Sequence, residues 1–477
     1  VTVRHALLAL AVALLAGCAA GPDYRKPEVE IPVSWRLEEP WRTAAPDDAA
    51  AKGPWWQRFG DPQLDALQRR ALEQSPTLAL ANARLAQARA TASGAAAGRF
   101  PTLSLNNRDA RQKISANRPL TTYGGTNSST VQDDYTLSLN VSYEVDLAGR
   151  VQRSLEGARA SAQQSAADLE NTRLLLSADL ASAYFNLRAL DTELDVLSQS
   201  IELQRRALGI VGSRRDLGAA SGLDVAQQQA LLDSTLTQVE VLRRQRAIFE
   251  HALATLTGTP APSFSIAPEV KAFTPLTVPL GVPSEVLQRR PDVAAAERAM
   301  AAANAQVGVA SAAFYPSVML SGGYGVESRM LSSLFDAPSL LWSVGVSVAQ
   351  TLFDGGRVNA NVDFAKAGYE GTVASYRRVV LTAMQEVEDG ISGLAALERA
   401  TAQSQTAAAS ARRVFDMASA RYDGGASTYL DVITAQQALL ASERQLAQLM
   451  GQRQLASVFL VKALGGDWAT GAQASAR

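Results

Sequence analysis

Cysteine and histidine are nearly absent from this chain, with one of the first and two of the second in 477 residues. A single cysteine forbids any internal disulfide. His5 lies in the N-terminal leader, and His251 sits among apolar residues on a predicted helix, as a packed or rim side chain. One His and one Cys in the body leave no material for a His/Cys metal centre or a Cys–His dyad within one chain. A dominant charge sign is also missing. The 45 Lys and Arg are balanced by 46 Asp and Glu, so nothing points to a nucleic-acid partner. Arg289-Arg290 and the Arg243–Arg246 cluster are short and read as solvated helix faces. No G-x-S-x-G, Walker loop or dinucleotide fingerprint occurs. The expectation is therefore no enzyme, no metal and no bound cofactor.

What is present begins with VTVRHALLALAVALLAGCAAG. Arg4 supplies a positive start, and Ala6 to Ala16 form an apolar run of signal-peptide length, too short for a bilayer-spanning helix. Leu15-Ala16-Gly17-Cys18 resembles the bacterial lipobox, which implies a signal peptide over residues 1–17 and a covalent lipid on Cys18. Ala19, rather than aspartate, is compatible with export to the outer membrane. Residues 18–60 form the lipidated extension, irregular and Pro-containing, with Trp35, Trp41, Trp55 and Trp56. An ordinary secretory signal is the alternative.

The body repeats itself. YTLSLNVSYEVDLAGRV (Tyr135 to Val151) meets WSVGVSVAQTLFDGGRV (Trp342 to Val358) under a shift of 207 positions, with the apolar register retained. The same shift pairs Ser221–Val225 with Thr428–Val432 and Gly258 with Gly465. Upstream, Ala83–Leu105 matches Arg298–Leu320 at a shift of 215, so the first copy should carry the longer loop between its strands, over Asn107–Asp134. Each unit reads helix, strand, loop, strand, long helix, turn, helix. The first repeat is assigned to 61–258 and the second to 284–466. A Pro-rich connector (259–283) lies between them, and residues 467–477 form a C-terminal tail. From Val151 to about Asp216 no proline or glycine pair interrupts the helical pattern, a span of roughly 100 Å at 1.5 Å per residue. Two seams run along it, Leu180-Leu187-Leu194-Ile201-Leu208 and Leu169-Leu176-Ala183-Leu190-Leu197-Val211, alternating at three and four as in helices packed side by side.

In the strand Tyr135–Leu147 every odd position is apolar and every even one polar. A soluble layer with one buried face gives that pattern, and so does the wall of an outer-membrane barrel, which needs roughly 9–11 residues per tilted strand. Two units supply four strands, which cannot close a barrel in lipid, so partners must come from other chains. On the wall reading Tyr135, Leu137, Leu139, Val141 and Tyr143, with Trp342, Val344, Val346 and Val348, face outer-membrane lipid.

Leu287–Val318 (LQRRPDVAAAERAMAAANAQVGVASAAFYPSV), with EVDLAGR (Glu144–Arg150), LFDGGR (Leu352–Arg357) and the lipobox, resembles the outer membrane factor family, TolC-like, in its lipoprotein branch. The resemblance covers essentially the whole mature chain. It implies a mainly α protein with a membrane β-barrel: a homotrimer whose twelve strands form one barrel, continued by a periplasmic α-barrel of twelve helices. It implies the exit duct of a tripartite efflux pump, passing drugs or other small toxic compounds outward. The partners implied are a periplasmic adaptor and an inner-membrane pump of the resistance-nodulation-division type, with energy entering at the pump. Two rivals stay open: a type I secretion duct, and a structural periplasmic coiled-coil lipoprotein, which leaves the strands unexplained.

In this family the helix-turn-helix tips close the periplasmic end. By motif, the resemblance points to Asp224, Tyr422 and Asp431 as gate candidates. Relatives with an arginine in the tip turn and a second aspartate one turn on have Ser427 and Thr434 here. Ser221-x-x-Asp224 and Thr428-x-x-Asp431 also read as capping boxes, with Ser221 and Thr428 as helix caps. Capping and gating are both open for the two carboxylates.

Overall fold

The computed structural model describes residues 20–27, 54–117, 129–272 and 289–466. Leu15, Ala16, Gly17 and Cys18 lie outside the described residues, as do residues 467–477 and most of the 18–60 extension. The elements are α1 (Pro62–Gln74), α2 (Pro76–Ala97), β1 (Thr102–Ile114), β2 (Thr130–Val145), α3 (Arg150–Asp216) and α4 (Gly222–Leu256). Next in the chain come α5 (Pro291–Ala312), β3 (Ser317–Ser328), β4 (Leu340–Ala349), α6 (Arg357–Asp423) and α7 (Tyr429–Ala463). The duplication is kept to the residue: α3 and α6 have 67 residues each, α4 and α7 have 35 each, and α2 and α5 have 22 each.

The chain divides into two compact units. In the first, which takes residues 20–27, 85–165 and 296–376, the four strands form one antiparallel sheet in the order β1-β2-β3-β4. The extra length of the first copy goes mainly into its strands. Its arms have 13 and 16 residues, against 12 and 10 in the second hairpin. Residues 107–114 and 130–134 are therefore strand, where the sequence suggested a loop. The backbone ladder continues there without apolar side chains, carrying Gln112 opposite Gln132 and an Arg111–Asp133 ion pair at 3.6 Å. β4 stops at Ala349, so Gln350 and Leu352 lie beyond the sheet.

Residues 20–27 are fastened to the same unit. The Ala20 N–H donates to the Ala148 carbonyl at 2.9 Å, and the Asn304 side chain donates to the Pro22 carbonyl at 2.9 Å. Arg153 pairs with Asp23 at 2.7 Å, and Lys26 with Glu297 at 2.8 Å.

The second unit takes the rest of the described residues and is built on the heptad seams. Leu190, Leu197 and Ile201 of α3 pack with Leu232, Val239 and Leu242 of α4 and Leu440 of α7, with Leu194, Leu208 and Phe249 half-buried beside them. The second helix of each hairpin ends at a left-handed glycine, Gly258 or Gly465, with φ of 70° and 86°. A side chain at Gly258 would collide with the Gln74 carbonyl at 2.4 Å, and one at Gly465 would meet the Arg289 carbonyl more loosely, at 3.2 Å. Gln74 and Arg289 occupy the same place in the two copies, so one contact has been built twice.

The Arg290-Pro291-Asp292 motif acts here as a clamp. Arg290, almost fully buried, donates through Nε and Nη2 to Asp292 at 3.0 and 2.7 Å. Its Nη1 donates to the carbonyl of Ala463, the last residue of α7, at 2.8 Å, and lies 2.8 Å from Glu386. Asp292 accepts from the Val293 N–H at 2.9 Å, next to Pro291 at the first position of α5. One side-chain cluster thus joins the start of α5 to the end of α7.

The described part of the connector, 259–272, is held by a buried ionic network. Arg246 donates to Asp191 at 2.6 Å and to the Ile266 carbonyl at 2.6 Å, while Arg188 donates to Asp191 at 2.7 Å and to the Ala267 carbonyl at 3.0 Å. Glu250 and Asp191 accept from the Ile266 and Glu269 N–H groups at 2.7 and 3.1 Å. Tyr184 donates to Asp61 at 2.5 Å, and Lys271 reaches Asp61 at 3.2 Å. Burial raises the Asp61 pKa, but hydrogen bonds from Tyr184, Lys271 and the Gln63 N–H reverse this and leave it below its ordinary value. Burial, and then the hydrogen bond to Asp61, push the Tyr184 phenol up to about 12.

Candidate functional site

The strand register decides what the sheet can do. Residues directly opposite in an antiparallel ladder share a face. Leu105, Leu139, Tyr324 and Trp342 form one row across all four strands, and Leu103, Val141, Gly322 and Val344 form the next on that face. Tyr143-Leu320-Val346 and Val145-Val318-Val348 continue it. Leu137 lies in a row with Val326 and Leu340. Tyr135 lies between Asp109 and Ser328, where the apolar wall gives way to polar strand. The opposite face carries Ser104-Asn140-Gly323-Ser343 and Ser142-Ser321-Gly345.

The apolar face is uncovered in the chain: Trp342 is 72% exposed and Val344 81%. A soluble layer would bury that face; a barrel wall gives it to lipid. Among the described residues no helix is long and apolar enough to cross a membrane. The register thus brings together eight of the nine side chains expected to face lipid; Tyr135 stands at the polar boundary.

The two tips belong to the second unit. Gly218 and Gly425 supply the left-handed turn positions, with φ of 76° and 73°. In the first tip the Asp224 N–H donates to Ser221 Oγ at 3.1 Å, and the Asp224 carboxylate accepts from the Ser221 N–H at 2.9 Å. In the second the Asp431 carboxylate accepts from both the N–H and the hydroxyl of Thr428 at 3.2 Å. Both carboxylates therefore turn onto their own helix starts.

Other residues join the hairpins to each other. Tyr429, buried, donates its hydroxyl to Gln228 Oε1 at 2.9 Å, and its ring packs 5.1 Å from that of Tyr422. The Arg214 guanidinium lies 4.6 Å over the Tyr422 ring and donates to Asp423 at 3.0 Å. Val211, Val432 and Ile433 seal this cluster. Burial, then the neighbouring Tyr422 and Asp224, raise the Tyr429 phenol and keep it a donor.

Of the gate candidates, only Tyr422 lies directly in this joint. Thr434 donates to the Leu430 carbonyl of its own helix at 2.8 Å, so it does not supply the second tip aspartate. Arg214, Gln228, Asp423 and Tyr429 were missed by sequence reasoning. Arg214 stands in the last turn of α3, where a cation reads as a partner of the helix dipole. Tyr429 looked like one more apolar seam position. The repeat offered a signal: Asp423 corresponds to Asp216, and Arg421 to Arg214, so the charges at both helix ends are duplicated.

A sheet with one uncovered apolar side, continuous in sequence with long paired helices, is the pattern of a wall segment of an outer-membrane duct. The chain belongs to the outer membrane efflux protein family, whose model matches residues 67–259 and 282–466. It is 33% identical to the pyoverdine export outer membrane protein OpmQ of Pseudomonas aeruginosa, over 100% of this chain and 99% of that protein. It is 32% identical to the toluene efflux pump outer membrane protein TtgC of Pseudomonas putida, over 97% and 96%. The outer-membrane channel OprN superposes with a TM-score of 0.86 at 30% identity, covering 94% of this chain and 100% of that one. Its place is the outer membrane and its role is efflux.

Proposed function

We propose that three copies of this chain close one twelve-stranded barrel and form the passive exit duct of a tripartite efflux pump. The observation that supports this is the open sheet. β1 and β4 are its edges, and in hydrocarbon each unpaired backbone group costs several kcal/mol. β4 of one copy pairing with β1 of the next satisfies those groups in a closed ring, with the polar rows turned to a watery lumen. A periplasmic adaptor and an inner-membrane pump of the resistance-nodulation-division type complete the machine. The pump supplies the energy, so the duct performs no covalent step and needs no metal or cofactor. Small toxic compounds are the cargo class, in keeping with the toluene named for one relative, while another is named for pyoverdine export.

The covalent lipid belongs on Cys18, two residues before Ala20, whose N–H donates to the Ala148 carbonyl just past the end of β2. The tips hold the periplasmic end shut, with Arg214, Tyr422, Asp423 and Tyr429 as the latch within each chain. Asp224 and Asp431 shape the turns and add rings of negative charge around the axis.

The native mass of the detergent-extracted protein tests the assembly. A trimer is expected; a stable monomer would leave the edges of β1 and β4 unpaired and end this reading.

A further inference from the structure

In the second unit a cleft of about 190 Å³ lies between α3, α6 and α7, beside the joint of the two tips. Leu203 and Val211 of α3, Phe415 and Tyr422 of α6, and Tyr429 and Val432 of α7 line it. Among the described residues its charged lining is Arg206 and Asp423, one of each sign and both exposed. Neither sign of ion is favoured there, and apolar walls disfavour any ion left unpaired. The volume sets the size of an occupant. A cavity of about 150 Å³ walled by Leu, Ile and Phe takes up benzene, whereas drug-sized molecules need roughly 300 Å³ or more. One aromatic ring with a small substituent fits.

One polar group stands in these walls without a partner. Gln436, almost fully buried, lines the cleft, and its Oε1 accepts no hydrogen bond among the described residues. A buried acceptor in that state favours the arrival of a donor. The repeat shows what has changed. In the first copy the counterpart Gln229 is exposed and donates to Asp233 at 2.8 Å. Leu440 stands where Asp233 does, so Gln436 lacks that partner. Tyr422 and Tyr429 have Arg215 and Gly222 as counterparts, so the tyrosine walls also belong to the second copy alone.

We propose that this cleft binds small neutral aromatic molecules bearing one hydroxyl or amine donor, phenol being the simplest, and that the bound ring holds the latch shut. The ring packs offset or edge-on against Phe415, Tyr422 and Tyr429, and its hydroxyl donates to Gln436 Oε1. It touches α3 of the first repeat together with α6 and α7 of the second, which requires the two hairpins to be joined. A ligand that binds only the closed form stabilises it by mass action, so at ten times its Kd the open-to-closed ratio falls about tenfold per site. The binding stands on the cleft alone; the effect on opening rests on the latch reading above.

The test titrates 4-fluorophenol and fluorobenzene, which differ by one hydroxyl, into the detergent-extracted full-length protein and follows the fluorine NMR signal. Saturable binding of 4-fluorophenol at one site per chain is expected, with fluorobenzene about tenfold weaker for want of the hydrogen bond. Gln436→Leu should abolish the difference between the two. Ser419→Trp, at a half-buried wall position, should fill the cleft and abolish both. No saturable binding, binding that survives Ser419→Trp, or a hydroxyl preference that persists in Gln436→Leu would overturn the site. In planar bilayers, saturating 4-fluorophenol should lower the resting current several-fold in the wild type and leave that of Ser419→Trp unchanged. Binding without a change in current would overturn the hold on the latch. An equal fall in both proteins would overturn it as well, since the compound would then be acting on the membrane.

Discussion

Replacing Arg214 by alanine is the sharpest test of how the tips hold together. The side chain makes two contacts with the second hairpin, the ion pair to Asp423 at 3.0 Å and the cation–π contact with Tyr422 at 4.6 Å. Both partners of the pair are partly exposed, so solvent screening holds the pair to about 0.2–1 kcal/mol. The cation–π contact adds about 0.5–1 kcal/mol at such a site. Arg214→Ala should therefore cost each chain ~1–2 kcal/mol of closed-state stability. If the three latches of the proposed trimer open together, that becomes ~3–6 kcal/mol, a shift of roughly 10²–10⁴-fold in the closed-to-open ratio at 1.4 kcal/mol per decade. If they open singly, the shift is roughly tenfold per chain. Single-channel current in planar bilayers at fixed salt and voltage distinguishes the two. Resting current equal to wild type would refute the latch. Asp431→Ala is the contrast: it removes a helix cap worth about 1 kcal/mol without touching the other hairpin. Its resting current should rise far less than that of Arg214→Ala. An equal rise would mean that the carboxylate ring acts on the pore directly.

Three further outcomes are expected. Val344→Arg places a charge on the exposed apolar face and should cost about 2–4 kcal/mol near mid-membrane, lowering the folded, membrane-inserted fraction in urea titrations. Ser343→Arg, one residue along on the polar face, should be tolerated, and equal loss in both would contradict the register. Arg290→Met strands Asp292 and Glu386 beside each other without their cation and should destabilise by roughly 3–5 kcal/mol, seen as a lower midpoint of thermal unfolding. For pH, Asp61 has a depressed pKa, so its contribution is present above its ordinary value of 3.8 and lost as pH falls through the lower folded value. Tyr184 has a raised pKa, so its contribution is complete below 10.0 and lost as pH rises towards about 12. Protease protection of 259–272 should therefore be flat between these limits and fail outside them. Tyr184→Phe should reduce the alkaline loss and leave the part due to Lys271, whose pKa burial lowers but the bonds to Glu269 and Asp61 raise above its ordinary value.

Local pattern was enough for much of this molecule. Alternation with period two identifies strands whatever they pack against, and unbroken heptads identify helices that lie side by side. The two offsets of the repeat therefore return helices of identical length in both copies. The arms of the first hairpin were misjudged because Arg111, Gln112, Gln132 and Asp133 carry no apolar signal, while the backbone ladder that holds them is independent of side-chain type. The Arg290-Pro291-Asp292 motif was legible as a family mark, but not as a clamp, since its third partner, the Ala463 carbonyl, is a backbone atom 173 positions away.

The sequence by itself determined that this chain is a duplicated helix–strand–strand–helix–helix protein with a two-faced sheet, because those properties arise from the spacing of apolar residues along a regular backbone. Only the tertiary structure decided which odd positions line up across four strands into one uncovered apolar face. It also decided that Arg214 and Asp423, rather than Asp224 and Asp431, bridge the two tips. Both depend on how segments some two hundred residues apart meet, and that distance is set by packing of the whole helical framework, not by any spacing within one element.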